Sequence, residues 1–323
     1  LVNALVEKYP QYHIVALDKV DTCSSMRNLD ASLNKPNFHF VRGDIASSDL
    51  VRYVLQTHRI DTIVHAAAQS HVDNSFGNSF MFTEANVLGT HILMETAQAC
   101  GIERFVHVST DEVYGSCDDI RRTEESMLDP CNPYAGSKAA AENIVRGYYN
   151  SFGFPVIITR GNNVYGPQQY PEKLIPKFVL RLQQGKKCCI HGDGQSRRHF
   201  VHVHDVVRAF DLILHKGKVG QIYNIGSPDE FSNLEIAQKI VRLVCPGEPC
   251  EAHIEYVEDR AFNDVRYFLS YDKLKQLGWS PRVTFDEGLA ETLQWYADTD
   301  PNQYWKGVDV AIRPHPEGSL VHL

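Results

Sequence analysis

Arg104-Phe-Val-His-Val-Ser-Thr-Asp-Glu-Val-Tyr-Gly115, followed after a polar insert by Asn132-Pro-Tyr-Ala-Gly-Ser-Lys-Ala-Ala-Ala141, decides how the rest of the chain is read. Phe105 to Val108 is a short apolar run rich in β-branched and aromatic residues, which predicts a buried strand. Polar and ionisable residues begin where it ends: Ser109, Thr110, Asp111 and Glu112. In an open α/β sheet, ligands bind at the carboxyl ends of the strands. After Pro133 the alanines predict a helix, and Tyr134 and Lys138 stand at i and i+4 on one face of it.

That pair has a chemical use. A phenol titrates near 10 and is a poor base at neutral pH. An ammonium group one turn away favours the phenolate, so Tyr134 could take a proton from an alcohol whose hydride is leaving. A Tyr-x-x-x-Lys pair alone arises by chance about once in a chain like this. The strand and the Ser-Thr-Asp-Glu cluster upstream give it weight as a site.

Working outward, the N-terminal half alternates helix and strand. Leu1 to Tyr9 is spaced as a helix and His13 to Leu17 as a strand ending at Asp18, where a dinucleotide fold places the acid that accepts ribose hydroxyls. Phe38 to Val41 is a strand leading to Gly43-Asp44-Ile45, a turn that can face an adenine edge or be a plain turn. Leu50 to Thr57 is helical. Ile60 to His65 is a strand that runs into Ala66-Ala-Ala-Gln-Ser70, whose small residues admit a flat ligand or simply pack tightly. Phe80 to Cys100 predicts one long helix. The order is that of a doubly wound parallel sheet, a Rossmann-like α/β fold.

Beyond the Tyr134 helix, Pro155 to Arg160 and Gln221 to Ile225 predict further strands, and Ile254 to Val257 another. Lys177 to Gln184, Asp205 to His215, Leu234 to Val244 and Phe285 to Tyr296 predict helices, while Ile190 to Arg198 reads as a glycine-rich polar stretch. From about Tyr165 the chain alternates between two lobes. Residues 1–164 plus about 199–228 would form the sheet lobe, and about 165–198 plus 229–323 a smaller, discontinuous substrate lobe.

Composition bounds the function. Of 323 residues, 43% are hydrophobic and 22% charged, enough for two lobes. A net charge of −8 argues against general nucleic-acid or membrane-surface binding. No apolar run reaches the length of a membrane span. The eight cysteines contain no Cys-x-x-Cys pair and read as free thiols of a reducing, cytoplasmic compartment. There is no His-Glu-x-x-His and the histidines are scattered, so no metal is expected.

Taken together, His65-Ala-Ala-Ala-Gln-Ser-His-Val-Asp-Asn-Ser75, Ser109-Thr-Asp-Glu-Val-Tyr-Gly115, Tyr134-Ala-Gly-Ser-Lys138, Tyr170-Pro-Glu-Lys-Leu-Ile-Pro176 and Tyr223-Asn-Ile-Gly226 resemble the extended short-chain dehydrogenase/reductase family. More narrowly, they resemble its nucleotide-diphosphate-glucose 4,6-dehydratases. The adjacent Asp111 and Glu112 separate these from sibling epimerases and decarboxylases, and neighbouring segments look most like the enzymes that act on UDP-glucose on the way to UDP-rhamnose, with the dTDP-glucose enzymes very close. The resemblance implies NAD as cofactor and a hydro-lyase reaction. Tyr134, with Lys138 and Thr110, would deprotonate the glucose C4 hydroxyl, Glu112 would take the C5 proton, and Asp111 would protonate the departing C6 hydroxyl. It implies cofactor contacts at Asp18, Lys19, Asp44, Ile45, Ala66, Ala67, Ala68, Ser70, Tyr134 and Lys138. Substrate contacts are implied at Ser70, Thr110, Asn163, Lys173, Leu174, Arg198, Asn233, Arg260 and Asn263, the two arginines as diphosphate clamps. It also implies a homodimer, with the Phe80–Cys100 and Tyr134–Phe152 helices forming a four-helix bundle. The resemblance departs in one respect: the family's first strand and glycine-rich phosphate loop would precede Leu1. Their loss would unpair two strands at the sheet's centre, so a truncated sequence is expected, with poor folding, weak NAD binding and little or no activity if the chain starts at Leu1, or a non-enzymatic remnant.

Overall fold

Short β-branched runs alternating with helices that are apolar on one face can bury those faces only by layering helices on a parallel sheet. The computed structural model describes residues 1–117, 120–259 and 262–315 and shows that arrangement. The first half runs α1 (Val2–Lys8), β1 (Ile14–Asp18), β2 (Phe38–Arg42), α2 (Ser48–Thr57), β3 (Thr62–His65), α3 (Val72–Gly77), α4 (Ser79–Phe82), α5 (Gly89–Ala99), β4 (Arg104–Thr110), α6 (Pro133–Phe152) and β5 (Val156–Gly161). The second half runs β6 (Asn163–Tyr165), α7 (Leu174–Gln183), β7 (Cys188–His191), β8 (Arg197–His202), α8 (Val203–Lys216), β9 (Ile222–Ile225), β10 (Glu230–Ser232), α9 (Asn233–Val244), β11 (Ile254–Val257), α10 (Asp272–Gln276), α11 (Phe285–Asp298) and α12 (Val308–Ala311).

The central sheet is parallel, in the order β3-β4-β5-β9. Its register sets Phe105 against Val156 and Thr110 against Gly161, so β4 and β5 deliver their last residues side by side. β1 and β2 pair in parallel as a separate two-stranded sheet, and among the described residues no ladder joins β1 to β3. Both strands are largely half-exposed, whereas β4 and β5 are mostly buried.

The helix expected over Phe80 to Cys100 is present but not regular: α4 and α5 flank a π-helical stretch, Thr83–Leu88. The wider turn carries the buried Asn86, whose side chain accepts from the Gln69 amide at 2.7 Å and donates to Gln69 O and Ser137 Oγ, both at 2.9 Å. Hydrophobic periodicity does not see such a polar tether. The glycine-rich polar stretch Ile190–Arg198 spans the end of β7, a turn and the start of β8; β7 pairs with β11, and β8 with β6 and β10.

Apolar packing follows these elements. Leu93, Met94, Phe105, Val145 and Val156 fill one side of the main sheet, and Ile157, Ala209, Ile213, Tyr223, Leu274 and Trp279 the other. A third cluster joins α7, α9 and α11 through Phe178, Ile190, Ile236, Ile240, Phe285 and Leu289. All eight cysteines are free.

Candidate active site

β4 ends in a turn that only certain residues can make. Thr110 caps the 3-10 turn Asp111–Tyr114, its Oγ1 accepting from the Glu112 amide at 3.3 Å. The turn closes at Gly115 with φ +74°, where a Cβ would lie 2.1 Å from the Asp129 carbonyl oxygen, so glycine is required on both counts. Across the site, Asn132 caps α6: its Oδ1 accepts from the Ala135 amide at 2.8 Å, and Pro133 occupies the first helical position. The same Asn132 donates through Nδ2 to Glu112 Oε2 at 3.0 Å. One side chain therefore starts the Tyr134 helix and holds the Glu112 carboxylate.

The two adjacent acids sit in different surroundings. Asp111 is buried, with Thr110 Oγ1 donating to its Oδ1 at 3.2 Å and Asn162 Nδ2 donating to its Oδ2 at 2.8 Å. Burial first, then the neighbouring Glu112 charge, pushes its pKa from 3.8 up to about 7, against the opposing pull of Asn162, Arg198 and Thr110. Glu112 is only partly buried, lines the cavity, and receives Asn132 and the Tyr267 hydroxyl, the latter at 3.5 Å. Asp111 can thus hold a proton at neutral pH beside a carboxylate that faces the cavity.

Tyr134 is buried and its pKa is pushed well above the ordinary phenol value, by burial and then by the charge of Glu112, with the Thr110 hydroxyl counteracting. Lys138, one turn along the same helix, is buried as well. Its Nζ donates to the Val108 carbonyl at 2.6 Å, and burial lowers its pKa to about 8.

Beneath the site, Glu142 of α6 and Arg160 of β5 form a buried ion pair through Oε1 and Nη2, with Arg160 Nε donating to Glu142 Oε2 at 3.0 Å. Arg160 Nη1 donates to the Tyr114 hydroxyl at 2.7 Å, and that hydroxyl donates to Asn224 Oδ1 at 2.9 Å. The chain of contacts ties α6 to the Asp111–Tyr114 turn and to β9.

A cavity of about 480 Å³ opens above this framework. It brings together Ser70, Thr110, Glu112, Tyr134, Asn163, Lys173, Leu174, Arg198, Asn233 and Asn263 from the sequence-based set. Arg198 is buried, lies with its guanidinium carbon 4.7 Å from the Tyr267 ring centre, and donates from Nη1 to the carbonyls of Arg197 and Asp264. Lys173 Nζ donates to Ser70 O at 3.0 Å. Arg260 lies outside the described residues. A smaller cleft of about 80 Å³ gathers Asp18, Lys19, Asp44, Ile45, Ala67 and Ala68. Asp18 Oδ1 accepts there from the Val20 amide at 2.6 Å and Ser24 Oγ at 3.2 Å. Ala66, Asp111 and Lys138 line neither opening.

The family model for GDP-mannose 4,6 dehydratase matches residues 1–292. The chain belongs to this family. It is 52% identical over 320 residues to a trifunctional UDP-glucose 4,6-dehydratase/UDP-4-keto-6-deoxy-D-glucose 3,5-epimerase/UDP-4-keto-L-rhamnose-reductase of Arabidopsis thaliana, covering 98% of this chain and 47% of that protein. The chain thus spans about half the length of that relative. It is 47% identical over 319 residues to human dTDP-D-glucose 4,6-dehydratase, covering 98% of this chain and 91% of that one. The structure is similar, at a TM-score of 0.90 and 39% identity, to dTDP-glucose 4,6-dehydratase of Streptomyces venezuelae with NAD and TYD bound, covering 95% of this chain and 94% of that one.

Three polar residues of the site were not singled out from sequence: Asn132, Asn162 and Tyr267. Asn132 had a legible signal, an asparagine directly before the proline that opens a helix. Asn162 and Tyr267 reach Asp111 and Glu112 across 51 and 155 residues of chain, and no local pattern marks them.

Proposed function

We propose that this chain is an NAD-dependent hydro-lyase that converts a nucleotide-diphosphate glucose into its 4-keto-6-deoxy product, with UDP-glucose favoured over dTDP-glucose. The carrying observation is the split pair: a buried Asp111 with its pKa near 7 beside a cavity-facing Glu112. An epimerase has no use for a second, protonated carboxyl at this position. The preference for uridine follows the higher identity to the Arabidopsis UDP-glucose enzyme than to the human dTDP-glucose enzyme.

The cleft at β1 suits the adenosine ribose end of a dinucleotide, since Asp18 has one carboxylate oxygen occupied by Val20 and Ser24 and a second to offer ribose hydroxyls. NAD bound in this fold supplies a reversible hydride acceptor and a cationic ring. Tyr134 takes the proton of the sugar C4 hydroxyl, with Thr110 bonded to the phenol and Lys138 holding its turn of α6 against Val108 O. The resulting ketone acidifies C5. Glu112, held by Asn132, removes that proton, and Asp111 protonates the departing C6 hydroxyl as water. The hydride given up by C4 would then be returned to C6, and C5 would take back a proton through Glu112 in exchange with solvent, so the product is the 4-keto-6-deoxy sugar and NAD is unchanged overall. Arg198, Lys173, Asn163, Asn233 and Asn263 hold the nucleotide diphosphate end. We place Arg260 with them by resemblance.

We further propose a cytoplasmic homodimer and a two-lobed division close to the boundaries read from sequence. Among the described residues no helix is long and apolar enough to cross a membrane. Phe80, Leu88, Tyr149 and Phe152 are exposed on α4 to α6, an apolar surface suited to a second copy of the same helices. Light scattering of a Phe80→Glu, Phe152→Glu variant tests the dimer, which is predicted to become monomeric.

The test of the activity is incubation of the chain with NAD and either nucleotide sugar, followed by mass analysis. A product lighter by one water, formed faster from UDP-glucose, is expected. A product of unchanged mass, epimerised at C4, would overturn the proposal.

A further inference from the structure

We propose that His202, His204 and Glu291 bind a divalent transition-metal ion of the zinc type where β8, α8 and α11 meet. The three ligand atoms lie within 4.8 Å of one another. His202 Nε2 is 3.7 Å from Glu291 Oε2, and His204 Nε2 is 3.8 Å from Glu291 Oε1. Two imidazoles and one carboxylate form a donor set that zinc and its neighbours accept, while calcium and magnesium prefer all-oxygen sites.

His202 carries the argument. Its side chain is fully buried, and neither ring nitrogen has a hydrogen-bond partner. Burying such a group is unfavourable unless something satisfies it. The ring is held edge-on against Tyr165, with centroids 5.2 Å apart, so its direction is fixed.

The surrounding fold brings the other ligands to it. Gly288 lets α11 approach closely: a Cβ there would fall 2.7 Å from His202 Cδ2. Glu291 follows one turn later on the same helix face. His204 is 62% exposed and Glu291 44%, so both can adjust. Zinc bonds of about 2.0–2.2 Å put tetrahedral donors about 3.5 Å apart, and shifts of about 1 Å complete the geometry.

None of the three residues lines the catalytic cavity. The ion would clip α11 to the junction that follows β8, the strand that also carries Arg198. It stands apart from the hydro-lyase chemistry, and its test is independent of that reading.

The experiment is calorimetric titration of the metal-stripped full chain with zinc chloride alone, repeated with cobalt chloride and visible spectroscopy. Variants Glu291→Gln and His204→Ala change exposed side chains and are checked for folding by circular dichroism. An exposed histidine group elsewhere, with His13 Nε2 3.3 Å from His58 Nδ1 and the His39 and His58 rings 4.7 Å apart, is the competing sink, so His58→Ala is the control. We expect binding that weakens at least about tenfold in both site variants, the loss that even a change outside the ligand set can produce, and that persists in His58→Ala. Zinc should raise the unfolding midpoint of the wild type and leave that of Glu291→Gln in place. Unchanged binding in the site variants, loss in His58→Ala alone, or no binding by the wild type would each overturn the proposal.

Discussion

Asp111→Asn should make the protein more stable and less active at once, and by an amount that depends on pH. The folded-state pKa of Asp111 is raised from 3.8 to about 7. The sign follows from linkage: with the folded value above the unfolded one, the stability associated with the proton is complete below about pH 4 and is lost as pH rises through about 7. Each unit is worth about 1.4 kcal/mol, so ionising this buried group removes about 4 kcal/mol in all, of which about 3 kcal/mol is lost between about pH 5 and about pH 8. Asparagine keeps the Asn162 contact through its Oδ1 and reverses the Thr110 contact, its Nδ2 donating where Asp111 Oδ1 accepts. It has no proton to lose. Urea unfolding of both proteins at the two pH values measures the difference. The stability advantage of Asp111→Asn should widen by about 3 kcal/mol from about pH 5 to about pH 8, while turnover falls by about two to four orders of magnitude through loss of the general acid. A stability difference that does not change with pH would refute the assignment of a buried, protonated Asp111.

Three further outcomes are expected. Tyr134→Phe should reduce kcat by about 10²–10⁴-fold with little change in KM, measured in steady-state assays, since it removes one hydroxyl that acts on the reacting proton. Glu142→Gln leaves the Arg160 guanidinium buried without its counter-charge, and chemical denaturation should show a loss of about 3–5 kcal/mol. Gly115→Ala places a Cβ against the Asp129 carbonyl at a positive φ, so thermal unfolding should reveal a loss of about 1–3 kcal/mol or more.

The strand-to-turn passage at Phe105–Glu112 and the Tyr134 helix were legible because each obeys a local rule: an apolar run ending in polar residues, and a helix opened by Asn-Pro. The substrate lobe was harder. β7 and β8 are short strands held by distant partners, β11, β6 and β10, and the glycine-rich polar turn at 192–196 between them masks them in the sequence. The π-helical turn at Thr83–Leu88 escaped for a related reason, since Asn86 is fixed by Gln69 and Ser137, neither of which is close in sequence. At the site, spacing picked out Tyr134 and Lys138, but it does not report burial, which raises the phenol and lowers the ammonium, nor the Val108 carbonyl that receives the Lys138 Nζ.

The central claim is that Glu112 and Asp111 together remove water across C5 and C6. The most direct measurement is conversion of UDP-glucose by the NAD-supplied chain in deuterated water, with the product mapped by mass spectrometry and NMR. The account predicts a product that has lost water and carries one solvent deuterium at C5. A product that keeps all its oxygens, or one with no deuterium at C5, would contradict it.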